Sequence, residues 1–201
     1  MSRISASCTV RRVIEAAPGA DRHPGLDLAN SRLARPGVPP TDLLDTPPAA
    51  TRWLVERGLA PAGAGLHEAC AGRLRALREH IRDLFAAHVA GGEPPAGALA
   101  AINAALTRVP TAAELRWDPD RGLHRAAGHP TDQVVDHALG VLAADAADLL
   151  TGPDAERLTA CDSHPCLRFL LRSGRRQWCS VRCGDRARAA RAYARRSAAP
   201  R

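Results

Sequence analysis

Residues 161–183 hold the side chains with the clearest chemical capacity. Cys161 and Cys166 form one close pair, with four residues between them, and Cys179 and Cys183 form a second, with three between. Twelve residues separate the pairs. Zinc takes four soft ligands in a tetrahedron at about 2.3 Å, and each pair can turn tightly enough to offer two thiolates to one ion. Disulfides are the competing use of four thiols. The start of the chain lacks the continuous apolar run of a secretory signal, being broken by Arg11, Arg12 and Glu15. A reducing cytoplasm is therefore the expected location, and there close cysteine pairs favour metal. Four thiolates close the coordination sphere, so the expected ion is a structural Zn2+ with no open position for substrate. His164 lies between the first two cysteines and is an alternative ligand, although four thiols already complete the set. Cys70 falls on an apolar helical stripe and reads as a packed thiol.

Charge singles out the same segment. All 28 basic residues are arginine, and the net charge is +7. From Cys161 onward eleven arginines face two acids, Asp162 and Asp185, a balance of +9. The rest of the chain has 17 arginines against 19 acids, a balance of −2. A basic module on a near-neutral body points to a polyanion, nucleic acid first, with a merely solubilising tail as the plainer reading. Arg182, Arg186, Arg188, Arg191, Arg195 and Arg196 surround a segment of good helix propensity after Cys183, and Arg175 and Arg176 lie beside a turn at Ser173 and Gly174. Guanidinium groups so placed suit contacts to phosphate and guanine.

The elements that must position these groups are mainly helical. Thr46 followed by Pro47 and Pro48 predicts a helix start, with Trp53 and Leu54 buried and Gly58 as the stop. Leu66, Cys70, Leu74, Leu77, Ile81, Leu84 and His88 recur at spacings of three and four, which predicts a long helix over 64–90. Further helices are expected over 95–108 and over 131–151, the last capped by Thr131 and ended by Gly152 and Pro153. Leu115, Trp117 and Leu123 alternate about Pro119–Arg121 and predict a hairpin. Residues 36–48 read as a Pro/Gly-rich loop. Inside the basic segment a second hairpin is expected, running out along Leu167–Leu171 and back along Arg176–Trp178. The fold class is thus mainly α with a small β-hairpin: an extension over 1–23, a helical domain over 24–154 and a treble-clef-like zinc finger over 157–197. A finger of this size buries too little apolar surface to fold alone, so metal binding would supply its folding energy. No run of apolar residues is long enough for a membrane helix.

The run Trp178–Arg188 resembles the CGNR zinc finger, named for its last Cys-Gly-Asn-Arg. Leu26–Ser31, with Leu43, Leu44, Trp53 and Leu54 beyond it, resembles the ABATE domain that precedes that finger. The resemblance covers roughly residues 24–196. It implies stress-induced transcription regulators with a helical N-terminal domain and a C-terminal zinc-binding, DNA-binding finger, whose ligands fall on Cys161, Cys166, Cys179 and Cys183. The chain departs from the pattern in three ways. Asp185 stands where the family has Asn, the last cysteine pair is one residue closer, and the loop between pairs is shorter.

The expected function is a DNA-binding transcription regulator whose helical domain senses a small molecule or forms a homodimer. Asn30 and Arg32 are candidates for that pocket or interface, against plain roles as a turn former and a surface charge. The alternative is a zinc-stabilised module for RNA or protein. His80, His88, His124, His129 and His137 make no His-Glu-x-x-His pattern, and no glycine loop for phosphate is present, so no enzyme is expected.

Overall fold

The structure, a computed structural model, describes residues 15–108, 113–127 and 133–197. Helix α1 (Pro24–Ala29) leads into a two-stranded ribbon, β1 (Arg32–Arg35) and β2 (Val38–Asp42). Helices α2 (Pro47–Glu56), α3 (Glu68–Ala90) and α4 (Ala96–Arg108) follow, then the hairpin β3 (Ala113–Asp118) and β4 (Gly122–Ala127), and α5 (Val134–Thr151). A 3-10 turn over Ala155–Arg157 hands the chain to β5 (Leu158–Ala160), β6 (Phe169–Leu171) and α6 (Val181–Ser197).

Helix α3 is the axis of the body and touches α1, α2, α4, α5 and β5. Its buried face carries Leu74, Leu77, Ile81, Leu84 and Phe85. The helix starts at Glu68, four residues later than the periodicity suggests, because Leu66 is held outside it by a bond from its N–H to Thr51 Oγ1 at 3.1 Å. Helix α2 forms as the sequence predicts: Thr46 Oγ1 accepts from Ala49 N, and Trp53 and Leu54 are buried. Thr131, the expected cap of α5, lies outside the described residues.

One expectation about the body needs correction. Residues 38–42 are a strand rather than loop, despite Pro39 and Pro40. The register of the ribbon shifts between Leu33 and Arg35, opposite the two prolines, so the ladder is interrupted where they have no N–H to give. The β3–β4 hairpin forms as expected about Pro119–Arg121, with Trp117 opposite Leu123. Leu115, Trp117 and Leu123 are 71%, 67% and 71% exposed.

The body and the finger share one core. Leu26, Ile81 and Leu142 belong to the same buried cluster as Leu170, Leu171 and Cys179. Phe169 packs edge-on against Phe85, with ring centroids 5.6 Å apart. Residues 15–23, expected as an unpatterned extension or weak edge element, also join this packing. Ala17 and Ala20 are buried, and the Pro18 carbonyl accepts from Leu171 N at 2.9 Å. Gly19 sits at φ +91°, and a Cβ there would come within 2.6 Å of the Leu171 side chain, so only glycine lets this segment lie against β6.

Candidate metal centre and nucleic-acid interface

The finger is assembled from two cysteine turns, a short sheet and one helix. β6 pairs with β5, not with residues 176–178 as expected, in the register Leu158↔Leu171, Thr159↔Leu170 and Ala160↔Phe169. All three residues of β6 are buried, so its partner must carry apolar side chains, and Leu158 does. Arg176 instead turns back on the second cysteine turn, donating from Nε to the Trp178 carbonyl at 3.0 Å and from Nη2 to the Cys179 carbonyl at 3.5 Å. Cys161 N donates to the Arg168 carbonyl at 2.8 Å, and Cys166 N donates to the Ser163 carbonyl at 2.8 Å, which closes the first turn. Ser163 Oγ donates to the Cys183 carbonyl at 2.8 Å and ties the two turns together.

Cys161, Cys166, Cys179 and Cys183 converge, with all four Sγ atoms within 4.8 Å of one another. Cys166 and Cys179 sulfurs are 3.7 Å apart, and those of Cys179 and Cys183 are 3.5 Å apart. These spacings are far too long for disulfides. They fit zinc: four sulfurs about 2.3 Å from a central ion stand about 3.8 Å from one another. Hydrogen bonds from Cys161 and Cys179 lower the Cys166 thiol to about 4. Hydrogen bonding to Cys166 and Cys179, and then burial, push Cys161 upward. Four thiolates this close repel one another, and a central dication is what lets all of them ionise. Donor type, number and spacing together fit structural Zn2+. His164 is exposed and stands apart from this group. Cys70 is half-buried and free, remote from the four.

Guanidinium groups support the sulfurs. Arg186 donates from Nε to the His164 carbonyl at 3.1 Å, and from Nη2 to the Ser163 carbonyl and to Cys183 Sγ, each at 3.2 Å. Arg168 Nη1 lies 3.9 Å from Cys179 Sγ, and its Nη2 donates to the Glu15 carbonyl at 2.9 Å. Arg186 and Arg176, both expected at the nucleic-acid surface, also hold the finger's own turns, Arg186 half-buried and Arg176 still exposed. Trp178 works on the same turn: its Nε1 donates to the Asp162 carbonyl at 3.2 Å. Its ring lies on Gly184, where a Cβ would approach Cε3 to 3.1 Å. That contact explains glycine after the last cysteine.

The remaining arginines face outward. Arg175, Arg182, Arg188, Arg191 and Arg195 are exposed. Arg188 and Arg191 lie over the Trp178 ring at 5.5 and 5.3 Å, and Arg188 Nη2 pairs with Asp185 at 2.6 Å. Asp185 therefore meets an arginine of its own helix. On α6, Ala190 and Tyr193 are exposed, and Ala187 is the alanine that faces the finger core. Buried Ala187 sits one turn beyond Cys183 and Gly184, so the inward face of α6 follows the ligand.

Asn30, a candidate for a pocket or an interface, is a buried residue. It lies where body meets finger, donating from Nδ2 to the Phe169 carbonyl at 2.9 Å and accepting at Oδ1 from Phe169 N at 2.8 Å. Arg32 is exposed on β1. Sequence reasoning missed two residues that hold this junction. Arg82 donates from Nη1 to the carbonyls of Ala29 at 2.7 Å and Leu167 at 2.9 Å, and its guanidinium lies over the Phe169 ring. Arg78 is buried and grips Asp42 with two bonds, at 2.6 and 2.8 Å, which pins β2 to α3. Its position four residues after Leu74 was the available signal, since that places it on the apolar face.

A helical body fused through a common core to a basic four-cysteine finger defines a zinc-finger protein with an appended helical domain. Residues 22–153 match the ABATE family, described as "Putative stress-induced transcription regulator", and residues 157–196 match the CGNR zinc finger. The first match spans more than half of the chain, and the chain belongs to the ABATE family. A comparison with curated proteins finds no match. Among the described residues no helix is long and apolar enough to cross a membrane.

Proposed function

We propose that the chain is a DNA-binding transcription regulator of the cytoplasm whose finger is folded by zinc and whose helical body senses a small molecule or mediates dimerisation. One observation carries the reading: exposed arginines of the finger gather on α6 and the turn before it, on a finger braced by the internal hydrogen bonds of Arg186 and Trp178. Arg188 pairs with Asp185, while Arg182, Arg191 and Arg195 make no ion pair among the described residues and can meet phosphates in a fixed register. The closed donor set gives the metal a structural rather than a catalytic part. A space of about 250 Å3 between α3, α4 and α5, lined by Leu77, Ala105 and Leu139 together with Arg73, Arg108 and Asp136, is where a small effector with an apolar and a polar side would fit.

A second reading, a protein-interaction module, is favoured by the bare apolar face of Leu115, Trp117 and Leu123. Selection of bound sequences from a random duplex pool, with RNA and heparin as competitors and with and without a chelator, tests the first reading. Enrichment of a sequence that disappears with the metal supports it. Equal binding of every duplex, or preference for RNA, removes the regulator reading.

A further inference from the structure

The cleft beside the metal centre holds more positive charge than the finger uses. It lies between the β1–β2 ribbon of the body and the first turn of α6, and its volume is about 430 Å3. Arg35, Arg168, Arg182 and Arg186 line it, with Glu15 as the one acidic residue among its walls. Arg186 and the terminal nitrogens of Arg168 are engaged by cysteine sulfurs and backbone carbonyls. Arg168 is only 9% exposed, yet its Nε has no hydrogen-bond partner. A buried donor without an acceptor calls for a ligand or an ordered water that supplies one. Arg35 and Arg182 are exposed and make no ion pair among the described residues.

Charge selects the ligand. Four guanidinium groups face one carboxylate and the double negative charge of a zinc tetrathiolate, which leaves a single positive charge uncompensated. The N-terminus of the 17-residue helix α6, whose Ser180, Arg182 and Cys183 form part of the wall, adds its partial positive charge. A phosphate monoester brings close to two negative charges, more than the cleft balances. A phosphodiester brings one.

We propose that this cleft seats one phosphodiester group, supplied by a nucleic-acid backbone, between Arg35 of the body and Arg182 and Arg168 Nε of the finger. The inference rests on the nucleic-acid reading for the source of the phosphodiester, but not for the site itself. The interface then becomes composite: a strand of the helical domain and the finger hold the same backbone together.

The test uses the full zinc-loaded chain. Arg35→Ala alters an exposed strand residue outside the zinc ligands and their supports, and Arg191→Ala is the reference on α6. Duplex DNA affinity is measured across a salt series, and dimethyl phosphate is titrated while the arginine Nε–H signals are followed by NMR. Arg35→Ala should retain its zinc, weaken duplex binding several-fold and reduce the slope of log affinity against log salt by about one unit. Dimethyl phosphate should shift the Arg168 Nε–H signal saturably in the wild type and not in Arg35→Ala. Should Arg35→Ala bind duplex like the wild type while Arg191→Ala loses affinity, the cleft proposal falls and the nucleic-acid reading stands. Should the wild type bind no duplex, the nucleic-acid reading falls, and the probe decides the site: a saturable Arg168 shift keeps the phosphodiester cleft, and its absence overturns it.

Discussion

The side-chain amide of Asn30 pairs with the backbone of Phe169 in both directions, with bonds of 2.9 and 2.8 Å across 139 residues of chain. One side chain thereby stands in for a neighbouring strand along β6. Both backbone groups of Phe169 would otherwise be buried without partners. Asn30→Ala should therefore destabilise the protein by about 2–3 kcal/mol, since each stranded group costs about 1–3 kcal/mol before relaxation. Urea unfolding followed by tryptophan fluorescence measures this. A change under about 0.5 kcal/mol would mean that water replaces the amide without loss.

Asp42 and Arg78 give stability a dependence on acid. Burial raises the Asp42 carboxyl, but hydrogen bonds from Arg78 and Leu44 N and the charges of Arg78 and Arg75 outweigh it, so the group ends below its ordinary 3.8. A depressed carboxylate stabilises the fold above its unfolded value and loses that contribution as pH falls through its folded value. Asp42→Asn should cost about 1.5–3 kcal/mol near neutrality, the worth of hydrogen bonds to a charged group, because buried Arg78 loses one of its two carboxylate partners and keeps Glu79. The difference between wild type and variant should shrink as pH drops below 3.8. A difference that stays constant from pH 7 to pH 3 would assign the loss to packing.

Metal removal should act unevenly. The purified chain should hold one zinc, and a chelator should expose four thiols to a colorimetric reagent. The last helix should lose most of its order because Cys183 lies in its first turn and its outer face is solvated. The body should retain its helical signal, since α3 and α5 carry their own buried faces. Simultaneous loss of all helix on chelation would show that the shared core cannot survive without the ion.

Arg186 and Arg191 should separate two kinds of arginine. Arg186→Ala removes three internal hydrogen bonds, one of them to a ligand sulfur. It should lower zinc affinity by about 10- to 100-fold, as changes to groups supporting a metal site do. Arg191→Ala should leave zinc affinity intact and weaken binding to polyanions. Competition with a zinc-binding dye and titration with duplex DNA read the two effects. Equal zinc loss in both variants would contradict the division.

Gly184→Ala places a methyl group 3.1 Å from Trp178 Cε3 and 3.2 Å from Arg188 Nη1. Arg188 can swing away, but Trp178 is tethered to Asp162 through Nε1. A loss of about 1–2 kcal/mol follows for such overpacking, with a red shift in Trp178 emission as the ring lifts. Unchanged emission and stability would mean that the turn accommodates the methyl group.

What the sequence made readable was whatever depends on local spacing. The four cysteines announce their site because ligand geometry restricts their separation, and α3 announces itself because Leu74, Leu77 and Ile81 repeat at the helical period. Pairing at long range left weaker traces. The partner of β6 could not be read from its own three residues, since Leu158 and the residues 176–178 were both within reach. Asn30 carries nothing local that points to Phe169. The arginines were countable but not sortable: Arg186 and Arg191 look alike in the chain, and only the fold shows that one reaches Cys183 Sγ while the other lies over Trp178.

Arg82 holds the end of α1 and the start of the finger strand with one nitrogen, through Ala29 and Leu167. A clasp of that kind transmits free energy in both directions. If a ligand of the body raised the finger's affinity for its metal by some factor, thermodynamic reciprocity would have the metal raise the affinity for that ligand by the same factor. Zinc and such a ligand would then act as joint inputs to one readout.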